Sequence, residues 1–201
     1  MTAWQIATIG LGANLGDPVD QIERALEAID SLPLCQVLAV SGLYANPPIG
    51  PQDQPDYVNA VAEIGTTLTP EALLRALKGI ERAAGRSYIR HWGERVLDLD
   101  ILAFGDREIT TPELTIPHPE IAKRHFVLAP WLEIRPEARL PDGSRLADCL
   151  EEVSDHPLRF LRLPRWQRQG VGPPIEPGVE ALSQRADMPD SSGPPDSRSP
   201  S

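Results

Sequence analysis

The strongest constraint on the fold is the order in which two hydrophobic periods alternate along the first half of the chain. Residues 4–10 (WQIATIG) alternate at a period of two, as a half-buried strand does. Asp17 then offers an N-cap and Pro18 a first helical residue. Val19, Ile22, Ala25, Leu26 and Ile29 follow at helical spacing, which predicts a helix to about Ser31. Two strand-like runs come next, 36–46 and 57–67, separated by the proline-rich segment PPIGPQDQPD. Thr69 and Pro70 repeat the cap signal, with Leu73, Leu74, Leu77 and Ile80 on one face of a second helix. Residues 95–104 (RVLDLDILAF) form a fourth strand. Strand, helix, strand, strand, helix, strand is the split βαβ order. It predicts an α+β fold, a ferredoxin-like βαββαβ sandwich whose antiparallel sheet carries its helices on one face.

Further elements extend this unit: a short strand and helical turns within 114–134, an amphipathic helix over 144–153 and a last strand at 157–163. From Pro164 the chain turns rich in proline, serine and glycine with little to bury. The expected organisation is a folded domain over 1–163 and a disordered tail over 164–201. A formal net charge of −10 argues against a broad nucleic-acid surface. Cys35 and Cys149 are too few for a disulfide scaffold. The N-terminus lacks the pattern of a signal peptide, and no apolar run reaches the ~18 residues of a membrane span. The expectation is a cytoplasmic, monomeric protein whose partners are small molecules, not membranes or nucleic acid.

The fourth strand raises a chemical question. Leu97, Leu99, Ile101 and Ala103 form one apolar face; Val96, Asp98, Asp100, Leu102 and Phe104 form the other. Asp98 and Asp100 therefore share a face, ~6–7 Å apart, and repel by roughly 2–3 kcal/mol at an effective dielectric of about 20. A solvated outer face accommodates this. So does a Mg²⁺ site, where one or two carboxylates are completed by water and phosphate oxygens. Arg82, Arg86, Arg90, His91 and Arg95 crowd just upstream in an otherwise acidic chain, and His118, Lys123, Arg124 and His125 follow in IPHPEIAKRHF. Such clusters are commonly solvated charge. Beside paired aspartates they suit a triphosphate, which arginine forks match well.

GLGANLG lies between a strand and a helix, but Gly10, Gly12 and Gly16 miss the spacing of a dinucleotide loop and no G-K-[ST] follows. It reads as a tight structural turn. Tyr57, Trp92 and Phe126 each sit beside a loop or charged segment, where they could pack or could stack on a flat heterocycle. Asn59, two residues from Tyr57, shares its face and can both donate and accept.

Three stretches, NPPIGPQDQPDYVNAV, RHWGERVLDLDIL and IPHPEIAKRHFVL, together resemble the 6-hydroxymethyl-7,8-dihydropterin pyrophosphokinase family of folate biosynthesis, and the resemblance runs from GLGANLGD to about Leu163. It implies a ferredoxin-like fold and transfer of the terminal pyrophosphoryl group of ATP to the pterin hydroxymethyl oxygen, releasing AMP. It implies that Asp98 and Asp100 bind two Mg²⁺ ions, and that Arg86 and Arg95 join them as catalytic residues. Tyr57 and Phe126 would sandwich the pterin, with Asn46, Pro47, Ile49 and Asn59 reading its edge. Trp92 would sit on a loop closing over both substrates. Glu81, Arg86, Trp92, Arg95, Ile101, Thr115, His118 and Arg124 would form the ATP side. Ser87, Tyr88, His91, Glu94 and Pro119 depart from the family pattern. Two other readings share some of these features: a nucleotidyltransferase with a polymerase-like palm, and a metal-binding interaction module.

Overall fold

The computed structural model describes residues 3–85, 94–153 and 157–168. The first strand is β1 (Gln5–Ala13), followed by α1 (Pro18–Asp30). Asp17 caps α1 by accepting a hydrogen bond from the Asp20 amide at 3.0 Å, with Pro18 opening the helix. Next come β2 (Cys35–Val40), β3 (Leu43–Asn46), β4 (Tyr57–Thr66) and α2 (Pro70–Ala83), the last capped by Thr69, which accepts from the Ala72 amide at 3.2 Å. The strand β5 (Asp98–Phe104) closes the split βαβ unit. A small ribbon of β6 (Ile109–Thr110) and β7 (Thr115–Ile116), a 3₁₀ turn (Ile121–Lys123), α3 (His125–Ile134), α4 (Leu146–Glu152), β8 (Arg159–Arg162) and α5 (Arg165–Arg168) complete the described chain.

The main sheet runs β5-β1-β4, with β2 and β3 both paired to the far side of β4 and β8 outside β3, and every pairing is antiparallel. This is the strand order expected of a ferredoxin-like sandwich. The expected single strand over 36–46 is instead two strands, interrupted at Ser41 and Gly42. The Ser41 amide donates to the Val61 carbonyl at 2.9 Å and the Val61 amide donates to Ser41 Oγ at 2.9 Å, so a hydroxyl stands in for a ladder carbonyl. The Gly42 amide leaves the sheet and donates to Glu133 Oε2 at 2.8 Å.

One face of the sheet is the main core. Ile9 and Leu11 of β1, Ile22 and Leu26 of α1, Leu73 and Leu77 of α2, and Leu99 of β5 are all buried together there. Val61 alternates with Ala60 and Ala62 and so points to the opposite face. There it joins Leu102, Ile121, Leu128 and Trp131 in a second, smaller core built from the elements after β5.

β5 departs from strict alternation. A bulge opposite Thr8 and Ile9 of β1 shifts the register, so Ile101 pairs with Ile9 but Ala103 pairs with Thr8 and Phe104 with Ala7. Phe104 therefore belongs to the main core and Ala103 packs against the second one, the reverse of the faces expected from alternation.

Packing continues past the expected boundary at Leu163. Trp166 packs against the main core. Glu23 of α1, only 3% exposed, is the reason the segment docks. It accepts from the Arg165 amide at 3.0 Å, from Arg165 Nε, and pairs with Arg162 at 2.8 Å. A buried carboxylate needs such partners. The rest of the expected tail, 169–201, lies outside the described residues. No helix among the described residues is long and apolar enough to cross a membrane.

Candidate active site

β1 and β5 build the floor of the site between them. Asp98 pairs across the ladder with Gly12, and Asp100 with Gly10. Directly opposite residues share a face, so each carboxylate stands beside a position without a side chain. On its other side Gly12 is opposite Asn59 of β4. A Cβ at position 12 would lie 2.9 Å from Asn59 Oδ1, and one at position 10 would lie 3.4 Å from Leu102 Cδ2. The glycines leave the sheet hollow where the polar groups converge. The expected turn is thus corrected: residues 10–13 of GLGANLG are the end of a central strand.

Above this floor is a cavity of about 300 Å³. One wall carries Tyr57, Asn59, Asn46 and Ile49. Asn59 Nδ2 donates to Asn46 Oδ1 at 2.6 Å, while Asn46 Nδ2 donates to the Pro47 carbonyl at 2.7 Å. The Asn59 amide nitrogen is thereby engaged beside Asn46. A second wall carries Arg95, Asp98 and Asp100. Arg95 Nη1 donates to Asp98 Oδ2. The third carries His118, Arg124 and Phe126, with the Arg124 guanidinium 6.0 Å from the centre of the Phe126 ring.

On the second wall Arg95 answers Asp98, whereas the nearby cations do not offset the burial of Asp100. Burial, and then the neighbouring charge of Asp98, push the Asp100 carboxyl above its ordinary value. His118 Nε2 lies 3.9 Å from Asp100 Oδ2, yet burial pushes its imidazole below the ordinary value and outweighs that carboxylate. Two carboxylates on one strand face, one of them destabilised as an anion, fit oxygen donors for a hard divalent cation.

Other expected site residues fall elsewhere. Ile101 is 3% exposed and belongs to the main core. Thr115 sits in the β6–β7 ribbon, opposite Thr110. Pro47 touches the site through its carbonyl bond to Asn46, outside the cavity lining. Glu81 is 2% exposed and turned into β5, where it accepts from the Leu99 amide at 2.7 Å and pairs with Lys78 at 2.9 Å. β5 is the sheet edge, and Glu81 supplies the acceptor that a neighbouring strand would. Arg86 and Trp92, with Arg90 and His91, lie outside the described residues. Sequence reasoning missed Gly10, Gly12, Asn14 and Gln54. The available signal was the i, i+2 spacing of Gly10, Gly12 and Asn14 between the apolar Ile9, Leu11 and Ala13.

Comparison with known proteins identifies the family. The profile of the 7,8-dihydro-6-hydroxymethylpterin-pyrophosphokinase (HPPK) family matches residues 8–136. The 2-amino-4-hydroxy-6-hydroxymethyldihydropteridine pyrophosphokinase of Haemophilus influenzae is 45% identical over 152 residues, covering 76% of this chain and 95% of that protein. The enzyme of the same name from Pseudomonas aeruginosa is 46% identical over 142 residues, covering 71% of this chain and 88% of its own. A crystal structure of wild-type Plasmodium falciparum HPPK-DHPS with pteroate superposes with a TM-score of 0.61 at 15% identity. The match covers 76% of this chain and 43% of that one, and it speaks for the shared fold alone. The chain belongs to the 7,8-dihydro-6-hydroxymethylpterin-pyrophosphokinase family, ATP-dependent diphosphokinases of folate biosynthesis.

Proposed function

We propose that the cavity binds 6-hydroxymethyl-7,8-dihydropterin on its aromatic wall and the triphosphate of ATP on its charged walls, and that the pyrophosphoryl group passes between them. The observation that carries this reading is one cavity whose lining joins paired aspartates, the guanidinium groups of Arg95 and Arg124, the imidazole of His118, and the rings of Tyr57 and Phe126.

Tyr57 and Phe126 flank the flat pterin and exclude water from its faces. Asn59, its nitrogen engaged with Asn46, presents Oδ1 to a ring N–H. Ile49 and the backbone around Asn46 and Pro47 close the edge. Arg95 and Arg124 neutralise the phosphates, joined by Arg86; His118, whose Nδ1 accepts from the Glu120 amide, donates to them from Nε2, and Trp92 covers the pair of substrates. Ile101 and Thr115, outside the cavity lining, would complete the ATP side. Glu81 supports the nucleotide from behind by fixing Leu99, the residue between the two aspartates.

Asp98 and Asp100 would hold two Mg²⁺ ions, which when bound supply charge stabilisation and acidify a coordinated hydroxyl. The hydroxymethyl oxygen attacks the β-phosphorus in line; its O–P bond forms as the bond to the α–β bridging oxygen breaks, AMP leaves with that oxygen, and the hydroxyl proton passes to solvent water. The residues of the chain contribute positioning and charge, with no side-chain base in the step. The protein works as a cytoplasmic monomer on small molecules.

The decisive assay is AMP formation from ATP and Mg²⁺ with and without the reduced hydroxymethylpterin. AMP only in its presence is expected. Pterin-independent turnover, or none at all, overturns the reading.

A further inference from the structure

His125 opens α3, next to Phe126, and the reaction above gives it no part. The sequence groups it with cations suited to a triphosphate. In the structure it is 4% exposed and outside the cavity lining. A buried imidazole needs partners for its ring nitrogens. His125 Nε2 lies 3.3 Å from the Pro157 carbonyl oxygen. A carbonyl only accepts, so Nε2 carries the proton and donates. The same ring meets Phe126 edge to face, with centroids 5.6 Å apart and planes at 90°, within the range of favourable ring pairs.

Pro157 and Leu158 lead directly into β8. There Arg159 stands opposite Ala45 of β3 and Phe160 opposite Tyr44. The Tyr44 and Phe160 rings also pack edge to face, 5.6 Å apart. Asn46, the last residue of β3, stands opposite Tyr57 of β4. A continuous path thus joins the two aromatic residues of the cavity. It leaves Phe126 through His125, crosses β8 and β3, and arrives at Tyr57.

No side chain caps α3 at Arg124, so the turn that carries Phe126 lacks the usual anchor of a helix start. Apolar packing of α3 on the sheet through Val61, Leu128 and Trp131 brings the two layers together. That attraction is non-directional. A hydrogen bond to a fixed carbonyl is directional, and it sets where the first turn lies over the sheet.

We propose that His125 is a positioning residue: its bond to Pro157 ties the first turn of α3 to β8 and so holds the Phe126 ring across from Tyr57 at the gap a flat heterocycle fills. The inference rests on the substrate assignment above and concerns the pterin side of the cavity alone.

The test compares wild type, His125→Leu and His125→Gln as full chains, each checked for folding by its melting temperature. Leucine fills the space and cannot donate; glutamine keeps a donor. Calorimetry measures pterin affinity with α,β-methylene-ATP and Mg²⁺ present, and nucleotide affinity without pterin. His125→Leu should bind pterin about tenfold more weakly, the upper end for one lost hydrogen bond. It should bind nucleotide within about threefold of wild type, and His125→Gln should return pterin affinity to within about threefold. A role in packing alone would lower the melting temperature and leave the pterin affinity of folded protein unchanged, which overturns the inference. Equal weakening of both ligands overturns it too, as does His125→Gln binding pterin no better than His125→Leu; each of these leaves the substrate assignment standing. Should His125→Leu not fold, His125→Phe takes its place, since it keeps a ring beside Phe126 and lacks the donor; the same loss is expected and the same results overturn. A wild type that binds nucleotide but no pterin overturns the assignment, and the inference with it.

Discussion

Glu23 and Asp100 are both carboxylates pressed into the body of the protein, and their surroundings treat them in opposite ways. Glu23 is met by Arg162 and by both the amide and the guanidinium of Arg165. Burial alone would push its carboxyl up; the hydrogen bonds from Arg165 and Arg162 bring it below the ordinary value. Asp100 has Asp98 as a neighbour. Burial and that second negative charge push it up, and Lys78, His118 and Arg124 do not offset them. A carboxylate that serves the fold is supplied with cations by its own chain. Asp100, for which we propose a divalent cation, is left short of them, and the fold absorbs the repulsion.

The contrast is broken most directly at the aspartates. Asp98→Ala and Asp100→Asn should each lower kcat by about 10³-fold or more; Asp100→Asn should melt at or above wild type because a repulsion has been relieved, whereas Asp98→Ala also gives up the Arg95 pair. Glu23→Gln should do the reverse, lowering the melting temperature by on the order of 5 °C while folded protein keeps its activity. Loss of stability in Asp100→Asn to match that of Glu23→Gln would erase the distinction.

pH sharpens it further. The folded value of Glu23 is depressed, so its contribution is fully present above 4.5, the ordinary value, and is lost as pH falls through the lower folded value. The folded value of Asp100 is raised, so the native state takes up a proton more readily than the unfolded chain. Without divalent cations its part of the stability rises as pH falls from above that raised value toward 3.8. Melting curves of wild type, Glu23→Gln and Asp100→Asn across this range separate the two signs.

A smaller effect is expected from Gly12→Ala. Its Cβ would crowd Asn59 Oδ1 at 2.9 Å, so pterin should bind about tenfold more weakly, ~1.4 kcal/mol, with nucleotide affinity unchanged by titration. The smallest is spectroscopic. Burial and the carboxylate of Glu133, which accepts the Tyr44 hydroxyl at 3.0 Å, push that phenol up to about 12. A phenolate absorbance titration should find one tyrosine there, and Glu133→Gln should bring it part of the way down.

Much of this was legible because it is local. Helix starts were written as Asp17–Pro18 and Thr69–Pro70, and the strand order followed from the succession of periods. Asp98 and Asp100 could be placed on one face because Leu97, Leu99 and Ile101 occupy the other. What was not legible depends on partners far along the chain. Ser41 and Gly42 interrupt a strand-like run because Val61 and Glu133 wait for them. Phe104 changed faces at a bulge that only the pairing with β1 reveals. Glycines in GLGANLG signalled a turn, since glycine usually does; their role as the floor appears only when β5 is laid alongside. Arg165 looked like the beginning of a tail until Glu23 was seen to need it.

The Gly10 and Gly12 floor has a consequence for selection under an inhibitor. A compound that reaches it meets peptide groups of β1 where most of the cavity would offer side chains. Side chains can be exchanged one mutation at a time, but a peptide floor can only be altered by adding atoms to it. At position 12 the first added carbon meets Asn59, a residue placed here against the natural substrate. Escape by substitution at that position would therefore spoil the proposed reaction along with the drug.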